Sequence, residues 1–187
     1  MSAVSTANEQ AIARVRAWIE RFVVELNLCP FARPVVSSDA LRIVDCKSAS
    51  PEAIATLIIT ELDLLSQSEE SDIATSVLVF PEGLEAFDDY LGFLDDAQRV
   101  LEEMGLDGEI QIASFHPDYR FEGEPVDAVS HFTNRAPYPL IHLLRETMVS
   151  TVLENYPNPE RIPERNIQTL ERLGLDGIER LLHSLDR

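Results

Sequence analysis

Apolar residues recur at helical spacing near the start of the chain. The stripe consists of Ile12, Val15, Ile19, Phe22 and Leu26, which are three or four residues apart. This spacing places the side chains on one face of an amphipathic helix, which we expect over residues 9–27 with Asn8 as its N-cap. The helix is expected to end before Cys29-Pro30, because proline disfavours helical geometry in the residue that precedes it.

Short apolar runs further along the chain are typical of β-strands, and they lie at residues 41–46, 76–80 and 110–115. Helical patterns separate these runs. The first begins at Pro51, with Ser50 as its cap, and extends to about Ser66. The second covers residues 84–104.

Further helices are predicted towards the C-terminus. One is expected over residues 139–154, and residues 163–185 are expected to form two short helices separated at Gly174. Residues 116–138 show neither a helical nor a strand period, although a fourth short strand could lie in residues 117–138.

The alternation of strands with helices favours parallel strands joined by helical crossovers. The sequence therefore predicts an α/β fold with a small three- to four-stranded, mainly parallel sheet and βαβ crossovers. Helices would cover this sheet, and a helical tail would follow it. The 187 residues are expected to form a single domain, residues 1–187, with a helical C-terminal appendage from about residue 157 to residue 187.

Acidic residues concentrate in the middle of the chain. The net charge is −18, and residues 52–109 hold 16 of the 33 acidic residues together with a single basic residue, Arg99. We interpret this segment as a solvated acidic surface, which disfavours nucleic acid and anionic membranes as partners. Alternatively, this surface meets a basic partner, and the protein is a non-enzymatic binding or interaction module.

Several classes of protein are disfavoured by what the sequence lacks. Cys29 and Cys46 do not form a C-x-x-C pair for zinc binding or thiol exchange, and no nucleotide-binding or zinc-protease motif is present. The first ten residues have neither the basic nor the apolar part of a secretory signal. The apolar run at residues 53–60 is too short to span a bilayer. We therefore expect a cytoplasmic protein.

The loop after the third predicted strand carries most of the candidate chemistry. His116 follows that strand directly, and ligands of open parallel sheets bind at the carboxyl ends of the strands. We therefore expect His116 to act as a general acid or base on an anionic small molecule, with Tyr119 donating a hydrogen bond. Asn134 and Arg135 precede the next predicted helix and could hold a carboxylate or phosphate group.

On the helix predicted over residues 139–154, His142, Arg145 and Glu146 share one face. His142 and Glu146 would assist catalysis, and Arg145 would help to bind the substrate. Alternatively, His116, His142 and Glu146 bind one metal ion, since two imidazoles and a carboxylate suit iron or zinc. The two other histidines, His131 and His183, are interpreted as ordinary surface residues.

Cys29 is a possible nucleophile, with His116 as its base and Asn134 as the orienting group. The competing interpretation is a buried structural cysteine. The C-terminal end of a helix raises the pKa of a thiol, which opposes nucleophilic reactivity. Moreover, a short connection to the first strand would place Cys29 at the edge of the sheet opposite to His116.

Three segments of the sequence are distinctive when taken together. They are NLCPFARP (27–34), QIASFHPDYRFEG (111–123) and TNRAPYPLIHLLRE (133–146). In these segments the chain resembles an uncharacterised family called domain of unknown function 1415. The resemblance covers nearly the whole chain and implies a single α/β domain, but it implies no particular activity or cofactor.

Overall fold

A computed structural model of the chain contains four strands in one open sheet, with helices packed on both faces. It describes the backbone of residues 3–186 and the side chains of residues 8–185. Residues 1 and 2, part of the segment in which we expect no secretory signal, lie outside the described residues. The strands are β1 (Leu41–Asp45), β2 (Thr75–Val79), β3 (Ile110–Phe115) and β4 (Leu140–Arg145).

The α-helices are α1 (Ala3–Trp18), α2 (Ala32–Ser37), α3 (Pro51–Gln67), α4 (Phe87–Glu103), α5 (Glu146–Asn155) and α6 (Ile162–His183). A π-helical segment, Ile19–Val24, directly continues α1. Single turns of 3₁₀ helix occur at Val129–Thr133, Pro159–Arg161 and Ser184–Asp186. No helix of the described part of the chain is long and apolar enough to cross a membrane.

The α/β class predicted from the sequence is confirmed, but the predicted sheet is only partly correct. The strand order is β1-β2-β4-β3. β1 and β2 pair in parallel across helix α3, as expected for a βαβ crossover. β4 lies between β2 and β3 and runs antiparallel to both. The sheet is therefore mixed rather than mainly parallel, although β1, β2 and β3 run in the same direction.

The helix predicted over residues 139–154 is wrong in its first half. Residues Leu140–Arg145 form strand β4, and a helix begins only at Glu146. The position of β4 explains the error. A strand in the centre of a sheet is buried on both faces, so its sequence is a nearly continuous apolar run without the alternation that identifies a strand.

Two hydrophobic clusters cover the two faces of the sheet. On one face, Val77, Val79 and Leu140 pack with residues of α1, the π-helical segment and α6. On the other face, Leu78, Ile141 and Leu143 pack with residues of α3 and α4. Alternate residues of each strand therefore face opposite layers of helices, as the two-residue period of a strand requires.

Several local predictions agree with the structure, and others do not. The three predicted strands match β1, β2 and β3 to within one residue, and the Ser50 hydroxyl caps α3 by accepting a hydrogen bond from the Ala53 N–H. Asn8, in contrast, lies inside α1 and is not its cap. Its buried amide donates a hydrogen bond to the Asp45 carboxylate. The C-terminal helix has non-helical dihedral angles at Gly174, where the sequence predicts a break.

Candidate functional site

His116, the predicted acid or base, is enclosed in the loop that follows β3. Its side chain has no exposed surface and packs against Phe87 and Tyr90, with ring centroids 5.2 and 5.1 Å away. Nδ1 accepts a hydrogen bond from the Asp118 N–H at 3.0 Å, and Nε2 donates to the Leu84 carbonyl oxygen at 2.9 Å. Both ring nitrogens are thus used within the protein, which leaves neither for a substrate.

His131, in the same loop, is also buried and is not the surface residue that the sequence suggested. It has no exposed surface. Nδ1 accepts from the Phe121 N–H at 3.1 Å, and Nε2 lies 2.8 Å from the Pro125 carbonyl oxygen. His131 therefore links separate parts of residues 116–138 through backbone groups, and His116 ties the start of this loop to Leu84.

The groups expected to hold an anion are also used inside this loop. The Asn134 amide donates to the Ser114 carbonyl oxygen at 3.0 Å. The Arg135 Nε donates to the Tyr119 carbonyl oxygen at 3.2 Å, and its guanidinium lies 4.5 Å from the centre of the Phe132 ring. Desolvation by this packing lowers the pKa of Arg135. These contacts stabilise the conformation of the loop, and they use groups that were expected to bind a ligand.

The remaining predicted site residues do not come together. His116 packs against the α4 layer, whereas His142 on β4 faces the opposite layer beside Leu140 and Leu144. Glu146 begins helix α5 and is not one helical turn from His142. The structure therefore does not bring His116, His142 and Glu146 together as ligands of one metal ion. Among the described residues, no group of three His, Cys, Asp or Glu side chains could hold a metal ion.

Arg145, expected to bind substrate, instead closes the C-terminal end of α3. Its guanidinium donates to the carbonyl oxygens of Leu65, Ser68 and Ile73, at distances between 2.6 and 3.2 Å. These carbonyl groups lie at a helix end and in the following loop, where they lack helical partners. Arg145 therefore ties the start of α5 to α3.

A different site lies over the face of the sheet that packs against α1. It is a cavity of about 70 Å³ with almost entirely apolar walls, and we call it the sheet cavity. Trp18, Ile19 and Val23 contribute one wall from the end of α1 and the π-helical segment. Cys29 and residues of α2 contribute a second wall, and Phe115 and His142 belong to the strands beneath. π-Helical turns occur frequently at functional sites.

His142 is the most polar group of the sheet cavity. Its Nε2 lies 2.7 Å from the Thr75 hydroxyl, which itself donates to the Leu143 carbonyl oxygen at 2.5 Å. Because the hydroxyl has one proton, Nε2 carries the imidazole proton and donates it to Thr75, which leaves Nδ1 as an acceptor. Desolvation lowers the pKa of His142 to about 4, so the ring is neutral at pH 7.

Trp18 also lies in the wall of the sheet cavity, and its indole N–H is a hydrogen-bond donor. Its side chain is 3% exposed, and the enclosed Nε1–H has no hydrogen-bond partner within the described part of the chain. The indole packs edge to face on Phe115, with ring centroids 5.4 Å apart. A buried N–H without an acceptor is unfavourable by about 1–3 kcal/mol, and such groups are rare in folded proteins.

Cys29 lines the sheet cavity, whereas His116 packs against Tyr90 on the opposite face of the sheet. Phe115 and His116 are adjacent residues that face opposite layers of helices. Of these two residues, Phe115 lines the sheet cavity together with Cys29, and His116 does not. The backbone N–H groups of Phe31 and Ala32 favour a thiolate, but burial outweighs them and raises the pKa of the Cys29 thiol. Cys29 is therefore a neutral thiol in this cavity and not an activated nucleophile.

A larger groove of about 590 Å³ adjoins the sheet cavity, and we call it the outer groove. The two share Val23, Cys29 and Phe115 in their walls. The outer groove also contains the carboxylates of Glu122 and Glu124 but no basic side chain. The hydroxyl of Ser130, which lines this groove, is enclosed and has no hydrogen-bond partner among the described residues.

Sequence reasoning missed Trp18 and Thr75, and it placed His142 in the wrong surroundings. The cavity is assembled from α1, α2 and the four strands, so no local motif marks it. One available signal was the alternation of side chains in a strand. It places Phe115 and His116 on opposite faces and thereby separates His116 from any site that includes Phe115.

The chain belongs to a protein family without an assigned function. The family model described as protein of unknown function, DUF1415, matches residues 10–180. The match covers the sheet, the sheet cavity, the loop that contains His116 and His131, and most of α6. No curated protein matches the chain, and no solved structure matches it.

Proposed function

We propose that this protein binds a small, largely apolar molecule in the sheet cavity, and that the ligand is neutral or cationic. The observation that carries this proposal is the pair of polar groups in the walls of an otherwise apolar cavity, the unpartnered Trp18 Nε1–H and the imidazole of His142. One is a donor and the other an acceptor. Small-molecule sites typically combine apolar walls with a few such polar groups, which fix the orientation of the ligand.

The charge of the proposed ligand follows from the surroundings of the cavity. Glu122 and Glu124 lie in the outer groove, and neither the groove nor the cavity is lined by a lysine or arginine. Together with the neutral His142 ring, this arrangement repels an anionic group and tolerates an amine. We therefore replace the anionic metabolite expected from the sequence, because the Asn134 amide and the Arg135 Nε already donate to backbone carbonyl groups.

The polar groups of the cavity favour binding over acid–base catalysis. A general base is most effective when its pKa is near the working pH, whereas the pKa of His142 is about 4. The Cys29 thiol has a raised pKa and is not a thiolate at neutral pH. In this proposal the His142 ring accepts a hydrogen bond from a hydroxyl or amino group, the Trp18 N–H donates to a hydroxyl oxygen, and Cys29 contributes to the wall of the cavity.

A charge series of three similar probes tests this proposal. We expect benzyl alcohol and benzylamine to change the fluorescence of Trp18, the only tryptophan of the chain, and to release heat in calorimetry. Benzoate is expected to bind in this cavity about tenfold more weakly, which corresponds to roughly 1.4 kcal/mol. The double variant Glu122→Gln, Glu124→Gln should reduce the preference for benzylamine over benzoate, since it removes the carboxylates that distinguish them.

A blocking variant provides the matched control for the charge series. Ala32→Leu adds side-chain volume to the wall of the sheet cavity and is expected to weaken the binding of benzyl alcohol at least about tenfold. Ala55→Leu introduces the same change on α3, outside this cavity, and is expected to bind normally. Equal binding by the two folded variants, or no binding of any probe to the natural protein, would refute the proposed function.

A further inference from the structure

Another cavity, larger than the sheet cavity, has polar and positively charged walls. It measures about 140 Å³ and lies between the turn at Leu26–Asn27, Tyr156 and the first half of α6. Its walls include Arg165 and Arg172 together with amide and hydroxyl side chains, but no carboxylate. In a chain with 33 acidic and 15 basic residues, a cavity with two arginines and no acid is unusual. We call it the arginine pocket.

Arg165 is held in place but is only partly satisfied. Its guanidinium lies 4.9 Å from the centre of the Tyr156 ring, and Nε donates to the Arg161 carbonyl oxygen at 3.4 Å. One of its terminal nitrogens, Nη2, is enclosed and has no hydrogen-bond partner within the described residues. A charged donor that is fixed, desolvated and unpaired is costly unless an acceptor is supplied from outside.

Arg172 lies two turns further along the same face of α6. Its Nε donates to the Gln168 carbonyl oxygen and its Nη2 to the Thr169 hydroxyl, both at 3.1 Å. These bonds hold the side chain along the helix beside the arginine pocket. Among the ion pairs given by the described residues, none joins Arg165 or Arg172 to a carboxylate.

We infer that the arginine pocket binds an oxyanion, that is, the phosphate or carboxylate group of a small molecule. Guanidinium groups recognise the oxygens of both groups through charge-assisted hydrogen bonds. A volume of about 140 Å³ has room for such a group, since one water needs roughly 10–15 Å³ on the same kind of measure. The Arg165 Nη2–H would donate to one oxygen, and Arg172 would contribute its charge from the rim.

This inference is independent of ligand binding in the sheet cavity. The arginine pocket shares Ile162 and Asn166 with the outer groove but shares no residue with the sheet cavity. An oxyanion in the arginine pocket is therefore expected to leave the fluorescence of Trp18 unchanged. Failure of one site would leave the other proposal intact.

Calorimetric titrations with inorganic phosphate and with acetate, at constant ionic strength, test the arginine pocket. We expect one phosphate or one acetate to bind per chain. The folded variants Arg172→Gln and Arg165→Lys are each expected to weaken this binding about tenfold. Arg172→Gln removes a positive charge, and Arg165→Lys keeps the charge but removes the planar guanidinium group with its paired donors. Arg172 is exposed, so its variant remains informative if the Arg165 variant proves unstable.

Arg180→Gln is the matched control, because Arg180 is an exposed residue of the same helix and does not line the arginine pocket. Its oxyanion affinity is expected to equal that of the natural protein. Stronger binding of phosphate would assign a phosphate-bearing ligand, and stronger binding of acetate a carboxylate. The absence of binding at millimolar concentrations, or an equal loss of affinity in all three variants, would overturn the inference.

Discussion

Replacing His142 by leucine is expected to make the protein more resistant to mild acid. Desolvation lowers the pKa of His142 from 6.5 to about 4 in the folded protein. Between these values the imidazole of the unfolded chain binds a proton that the folded chain does not. The free energy of unfolding of the natural protein therefore falls as the pH decreases from about 6.5 to about 4.

The size of this effect follows from the shift in pKa. A shift of about 2.5 units corresponds to roughly 3 kcal/mol, because each unit is worth about 1.36 kcal/mol. In His142→Leu this contribution is absent. The difference in unfolding free energy between variant and natural protein should therefore increase by about 3 kcal/mol from pH 7 to pH 4, and should then remain constant at lower pH.

Urea unfolding at a series of pH values measures this difference. Carboxylates also titrate in this range, but they do so in both proteins and largely cancel in the comparison. His183→Leu makes the same substitution at an exposed position of α6 and is the matched control. A difference between His142→Leu and the natural protein that does not vary with pH would show that His142 is not desolvated in the folded state.

His116→Ala is expected to lower the free energy of unfolding by about 3 kcal/mol. The substitution removes a fully buried ring from its contacts with Phe87 and Tyr90 and leaves a cavity. It also leaves the Asp118 N–H and the Leu84 carbonyl oxygen without the partners they have now. Each unsatisfied buried group adds to the loss of stability.

Two further variants separate a structural role of His116 from a catalytic one. The side-chain oxygen in His116→Asn can replace Nδ1 as acceptor for the Asp118 N–H, so the loss of stability should be smaller than in His116→Ala. His183→Ala, at an exposed position, should change stability by less than about 0.5 kcal/mol. A His116→Ala protein with unchanged stability in urea unfolding would contradict the structural role.

The fold could be predicted from the sequence wherever local chemistry is decisive. The cap at Ser50, the break at Gly174 and the three strands that precede or follow long helices all have local signatures. Strand β4 has no such signature, because its neighbours in the sheet bury it on both faces. Its apolar positions also fit a helix, and only the pairing with β2 and β3 decides between the two structures.

The candidate site was harder to predict for a related reason. Histidine is a common catalytic residue, and three histidines near a strand end favoured a site in residues 116–138. Burial reverses that interpretation, because His116 and His131 both use their two nitrogens on neighbouring groups of the protein. Trp18 Nε1 lacks a hydrogen-bond partner because of contacts between distant segments of the chain. Spacing along the sequence does not predict such contacts.

The indole N–H proton resonance of Trp18 tests the central claim most directly. The chain has one tryptophan, so its NMR spectrum contains a single indole N–H signal that belongs to the wall of the sheet cavity. If the cavity is the binding site, titration with benzyl alcohol moves this signal, and Ala32→Leu suppresses the change. If the indole signal stays in place while amide signals of residues 116–138 move, the ligand binds in that loop and the sheet cavity is not the binding site.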